Sequence, residues 1–134
     1  MITLALAKSL SAQTYQTISS SQLSLIMKEE GYSYSTDTSG GIAWKIEGNK
    51  TFLHTSDDGT SLYFTVSFLN DSTSLKDVNE WNRTKRYSRS YLDEEGDPFL
   101  ELDLDLAGGV TKERIIDFLS TCRQSFLIWY DEVL

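Results

Sequence analysis

The sequence predicts an α+β domain: one antiparallel sheet of about six strands with helices packed on it, in the order α-β-β-β-β-α-β-β-α. Three observations carry this expectation. Leu100, Leu102, Leu104 and Leu106 alternate strictly with Glu101, Asp103 and Asp105, the period-two pattern of a half-buried strand. Between Ile42 and Leu69, two turn signals and three alternation patterns agree on one register. From Ile115 to Val133 an apolar stripe at helical spacing runs unbroken, marking a long last helix.

Residues 1–18 read as an N-terminal tail and residues 19–134 as a single domain, with no internal repeat or low-complexity linker. The apolar patch of the tail, Ile2 to Ala7, ends at Lys8 and has no basic residue ahead of it. It is therefore read as a retained tail, with a remnant of an export signal as the alternative. Ser19 followed by Gln22 is a capping box. It opens a short helix, about Ser20 to Glu30, whose inner face is Leu23, Ile26 and Met27 and which Gly31 ends.

Four strands follow. They are Tyr32 to Asp37, closed by Ser39-Gly40-Gly41; Ile42 to Glu47, closed by Gly48-Asn49; Thr51 to Ser56, closed by Asp58-Gly59; and Ser61 to Leu69. With two-residue turns, Trp44 lies opposite Leu53, and Leu53 opposite Phe64. Ile42, Trp44, Ile46, Leu53, Leu62, Phe64 and Val66 then share the core face. Ala43, Lys45, Phe52, His54, Tyr63 and Thr65 take the other.

Asn70 to Ser74 is a polar loop, and Leu75, Val78 and Trp81 form the stripe of a short second helix. A turn centred on Glu95-Gly96 would then pair Tyr91 with Leu100, Arg89 with Leu102 and Tyr87 with Leu104. On the wet face it would set Ser90 beside Glu101, Ser88 beside Asp103 and Arg86 beside Asp105. Gly108-Gly109 breaks the strand and Thr111 caps the last helix. That helix buries Ile115, Phe118, Leu119, Cys122, Phe126, Trp129 and Val133. Because Ile116, Leu127, Ile128 and Tyr130 lie off the stripe, it sits between two layers or meets another chain.

The composition excludes several function classes. A net charge of −8 and a pI near 4.5 repel phosphate backbones, so no nucleic-acid partner is expected. No run reaches the roughly 20 apolar residues of a membrane span, so no membrane partner is expected either. One histidine and one cysteine leave no zinc-spaced set or Ser-His-Asp grouping.

His54 has Ala43 and Tyr63 as expected neighbours, neither able to orient an imidazole. Cys122 falls on an apolar stripe, where cysteine acts as a small hydrophobe. Asp93-Glu94-Glu95-Gly96-Asp97 is rich in oxygen ligands and could attract Ca²⁺. It lacks the ligand pattern of an EF-hand, and a tight hairpin wants the same residues. Glu101, Asp103 and Asp105 face solvent about 7 Å apart rather than sharing a desolvated site. No catalytic residue, metal site or cofactor is expected.

Asn79-Glu80-Trp81-Asn82, Arg86-Tyr87, Tyr91-Leu92-Asp93, Gly96-Asp97-Pro98, Leu102-Asp103 and Gly108-Gly109-Val110, together with Met27 to Tyr32 (MKEEGY), resemble the YbjN-like family of bacterial proteins. The resemblance covers about Ser20 to Trp129. It implies a fold like the small chaperones of type III secretion, often dimeric, and a role in regulating sensory or stress responses. It supplies no catalytic residues. Asn79, Trp81, Asn82, Asp93, Gly96, Asp97, Asp103, Gly108 and Gly109 are read as fold-specifying. Trp81 anchors the second helix, and Asn79 and Asn82 close its end. Many relatives carry an export signal and some a cysteine pair; neither shows clearly here, so a cytoplasmic location is expected, with the periplasm as the alternative.

The resulting expectation is a non-catalytic protein-binding module, a chaperone-like adaptor or regulator, with a homodimer possible. Its contact residues would be Phe126, Leu127, Ile128, Trp129 and Tyr130. The alternative is a sensor of a small ligand or cation.

Overall fold

The computed structural model describes residues 13–69 and 72–134. A capping box opens the first helix, α1 (Ser20–Glu29): the Ser19 hydroxyl accepts from the Gln22 N–H at 3.1 Å, and the Gln22 side chain accepts from the Ser19 N–H at 2.9 Å. Gly31, at φ +78°, ends it. A second capping box, Ser74 with Asp77, opens α2 (Leu75–Thr84) inside what the sequence reads as the end of a polar loop. Leu75 is 73% exposed at the first position of α2, so only Val78 and Trp81 of the expected stripe reach the core. Thr111 caps α3 (Lys112–Val133) by accepting from the Arg114 N–H.

The strands form a six-stranded antiparallel sheet of β2 (Tyr34–Thr36), β3 (Ile42–Ile46), β4 (Asn49–Thr55), β5 (Ser61–Ser67), β6 (Arg89–Leu92) and β7 (Pro98–Asp105). Its spatial order is β2-β3-β4-β5-β7-β6. Two further pieces, β1 (Thr14–Tyr15) and β8 (Val110–Thr111), pair with each other. Ile18 is buried in the core and its N–H donates to the Gly59 carbonyl at 2.9 Å. Residues 14–18, expected in the tail, are thus part of the packed unit. Residues 1–12, the rest of that tail, lie outside the described residues, as do residues 70 and 71.

Leu53 faces Phe64, as the sequence predicts. The β3–β4 turn does not fall on Gly48-Asn49. Glu47 (φ +48°) and Gly48 (φ +79°) are its two central residues, and Ile46 pairs with Asn49. Two positive φ values in a two-residue loop make the turn whose twist suits a hairpin. The register moves by two residues, so Trp44 faces Thr51 and not Leu53. A shift of two keeps every side chain on its face. The seven residues assigned to the core face are all buried, joined by Thr51, whose hydroxyl donates to the Trp44 carbonyl at 2.8 Å.

The β6–β7 hairpin slips by one residue instead. Leu92 faces Pro98, Tyr91 faces Phe99, Ser90 faces Leu100 and Arg89 faces Glu101. The Asp93 carboxylate accepts from the N–H groups of Glu95 (2.9 Å) and Asp97 (2.8 Å), and the Gly96 N–H donates to the Asp93 carbonyl. With Gly96 at φ +84°, this is a turn with a glycine bulge, which takes one residue more than a two-residue turn. Every side chain of β6 therefore changes face: Ser90 goes inward, and Arg89 and Tyr91 outward. Tyr87 at φ +69° is solvent-exposed before the strand starts, and the expected Arg86–Asp105 and Tyr87–Leu104 pairs do not form.

Leu23, Ile26 and Met27 of α1, Val78 and Trp81 of α2 and the whole predicted stripe of α3 join the inner side chains of the sheet in one buried cluster. The helices thus cover one face of the sheet, and among the described residues the other face is open.

Candidate functional site

The five contact residues expected on α3 divide. Phe126 and Trp129 are fully buried, held in an aromatic group with Phe68 and Tyr130. These two are core residues and offer no surface, a correction that follows from their place on the apolar stripe. Leu127 is half-buried; only Ile128 (44%) and Tyr130 (43%) are exposed.

Of the family-motif residues, Asn82 meets Ser90, a serine that joins several elements. Its hydroxyl donates to the Phe99 carbonyl at 2.7 Å and accepts from Trp129 Nε1–H at 2.9 Å. Asn82 does not close the end of its helix. Its amide reaches β6, donating to the Ser90 carbonyl at 2.9 Å and accepting from the Ser90 N–H at 3.0 Å. Trp81 Nε1–H donates to the Ser88 hydroxyl at 3.0 Å. One serine thus ties α2, β6, β7 and α3 together, and Asn82 satisfies the outward backbone groups of an edge strand. Asn79 is exposed on α2. Gly109, at φ +85°, lies beside Thr14 of β1, and it is the left-handed backbone there that favours glycine.

The open face of the sheet carries the remaining candidates in cross-strand rows. One row runs Ser35, Ala43, Phe52, Thr65, Glu101, Arg89. At its far end Glu101 is held by Arg89 (Nη2–Oε2 2.6 Å) and by the Tyr91 hydroxyl at 2.7 Å, while Tyr91 stacks on Phe99 at 5.1 Å. Burial, then the bond to Glu101, pushes the Tyr91 phenol up to about 12. The slipped register hid this cluster from sequence reasoning, which set Ser90 beside Glu101. A parallel row contains His54, Tyr63 and Asp103.

His54 packs on the Tyr63 ring at 5.2 Å, and Ala43 faces Phe52 instead. Asp37 lines the same depression as His54, yet its carboxylate is occupied by its own turn: it accepts from the Ser39 hydroxyl (2.7 Å) and the Gly41 N–H (2.8 Å). The Ser39 hydroxyl, first among several donors, holds Asp37 below the usual carboxylate range. Among the described residues no hydrogen bond joins His54 to a carboxylate or a nucleophile, the geometry general-base catalysis requires. Burial pushes the Cys122 thiol up, the opposite of what a reactive thiolate needs.

Carboxylate oxygens of Asp93, Glu95 and Asp97 lie within 4.8 Å of one another, close enough to share a cation. The Asp93 carboxylate is also the group that builds the hairpin turn, and Asp97 is buried beside it. The cluster therefore has a structural cause of its own.

The model of the YbjN family, "Putative bacterial sensory transduction regulator", matches residues 19–134. The chain belongs to the YbjN family. Its fold is also that of a solved structure described as "YbjN, a putative transcription regulator from E. coli". That likeness has a TM-score of 0.63 at 12% identity, covering 81% of this chain and 85% of that one. At such identity the likeness speaks to the fold alone. No curated protein matches the chain. Among the described residues no helix is long and apolar enough to cross a membrane.

Proposed function

We propose that this YbjN-family chain is a non-catalytic protein-binding module, a chaperone-like adaptor or regulator in a bacterial sensory or stress response. One observation carries the reading: the helices cover a single face of the sheet and leave the other to solvent, with Phe52 46% and Tyr63 37% exposed on it. Apolar rings on an open, rigid sheet are a surface on which an extended or amphipathic segment can dock. The exposed Ile128 and Tyr130 of α3 are a secondary contact in this reading, and a second copy of the chain is one candidate partner. A cytoplasmic location suits the single buried cysteine, which requires no oxidising compartment.

A photo-crosslinking residue placed in cells at Phe52, and at exposed Lys76 on α2 as control, tests this. A discrete protein adduct from position 52, absent from position 76 and lost when Tyr63→Glu is added, is the expected result. Equal or no adducts at the two positions would remove the sheet face from consideration.

A further inference from the structure

The two edges of the sheet are treated differently. At β6 the outward backbone groups of Ser90 are taken by the Asn82 amide. At β2 nothing comparable is present among the described residues. The Lys45 N–H donates to the Ser33 carbonyl and the Asp37 N–H to the Gly41 carbonyl, which fixes odd-numbered residues as those bonded to β3. In an antiparallel ladder the alternate residues, Tyr34 and Thr36, then turn their N–H and C=O groups away from the sheet.

Beside this edge the charge is unusual for so acidic a molecule. Lys45 and Lys50 face each other directly across β3 and β4 on the open face, an arrangement that costs stability. Neither has an ion-pair partner among the described residues, a state they share with Lys28, Lys76 and Arg86, and Lys50 lies over the Phe52 ring at 5.3 Å. Ser33, Ser35, Lys45 and Lys50 line one shallow depression. In the row Ser33–Lys45–Lys50, Ser33 is the short side chain between Lys45 and the free edge. A strand added at β2 would lie about 9.6 Å from β3, two strand spacings. A glutamate on it and Lys45 can meet over Ser33, since the two side chains together span that gap.

We propose that β2 receives an extended acidic peptide segment of a partner protein, added as a further strand through Tyr34 and Thr36, with a carboxylate on Lys45 and with Lys50 behind it adding to the positive field. This rests on the protein-binding reading above and names its edge and its charge. Backbone bonds supply the docking and the lysine pair selects sign. A second copy of β2 paired through Tyr34 and Thr36 would set its Asp37 opposite Ser33, but that carboxylate already accepts from the Ser39 hydroxyl and the Gly41 N–H of its own turn, so a heterologous acidic segment fits better.

The test uses the full chain and a fluorescein-labelled decapeptide of alternating Glu and Val, with Gln-for-Glu and Lys-for-Glu versions, read by anisotropy. The Glu peptide is expected to bind, the Lys peptide not. Lys45→Gln with Lys50→Gln, both on exposed side chains, should weaken the Glu peptide by about fivefold and abolish its preference over the Gln peptide. Thr36→Pro, which removes an outward N–H the fold does not use, should abolish binding while circular dichroism stays unchanged. Equal binding of the Glu and Gln peptides, indifference to Thr36→Pro, or competition by inorganic phosphate alone would each overturn the proposal. If no peptide binds while position 52 still crosslinks in cells, the edge assignment falls and the protein-binding reading stands. If both fail, both fall.

Discussion

Ser90 shows how much one residue's direction decides. Sequence reasoning put it in water beside Glu101; the bulged turn puts it in the core, 3% exposed, between Phe99 and Trp129. Its hydroxyl is the acceptor for a buried indole N–H, and a buried donor left without a partner costs about 1–3 kcal/mol. Ser90→Ala should therefore destabilise the chain by about 1–3 kcal/mol in urea unfolding, at an unchanged dependence on urea. Trp129→Phe in the Ser90→Ala background should cost less than in the parent, because the orphaned donor goes with the ring. Strict additivity of the two substitutions would show that the hydroxyl and the indole do not depend on each other.

At the scale of the element, legibility depended on parity. The β3–β4 turn moved by two residues, and the core assignment survived because alternate side chains keep their face. The β6–β7 turn moved by one, and the expected outer ladder was lost with it. Helix starts signalled by Ser19 and Thr111 were readable because capping is local chemistry. The pairing of β1 with β8, some hundred residues apart in the chain, has no local signal, since two-residue strands are too short to alternate. The β3–β4 turn itself makes a testable claim. Gly48→Ala puts a side chain at φ +79° and should cost about 1–2 kcal/mol. Glu47→Asn gives the residue that turn favours at φ +48° and gives up only the exposed pair to Arg123, worth about 0–1 kcal/mol. Urea unfolding of Glu47→Asn should show a stability equal to or above the parent. A loss as large as that of Gly48→Ala would mean that Glu47 is held by more than its turn.

For the whole molecule, charge is the property the sequence stated most openly and the fold redistributes least. Twenty acidic residues stand against twelve Lys and Arg, and six ion pairs join the described residues, with most of the paired side chains well exposed. Exposed pairs contribute little each, and salt weakens them. The net charge of −8 works in the other direction, since self-repulsion opposes the compact state and salt screens that too. The acid outside those pairs spreads over the molecule: Asp103 and Asp105 on the sheet, Glu94 and Glu95 at the turn, Asp131 at the end of α3. An acidic helix C-terminus, with no basic residue in the last turn, adds an unfavourable interaction with the helix dipole. Screening should therefore relieve more repulsion than it removes attraction. Raising sodium chloride from about 0.01 M to about 0.3 M is expected to raise the melting temperature by a few degrees. Most of the gain should fall below about 0.15 M, where the Debye length contracts to the spacing between neighbouring surface charges. A melting temperature that falls with salt would mean the six pairs outweigh the net charge, and Arg89–Glu101, the most enclosed of them on its carboxylate side, would be the first to remove.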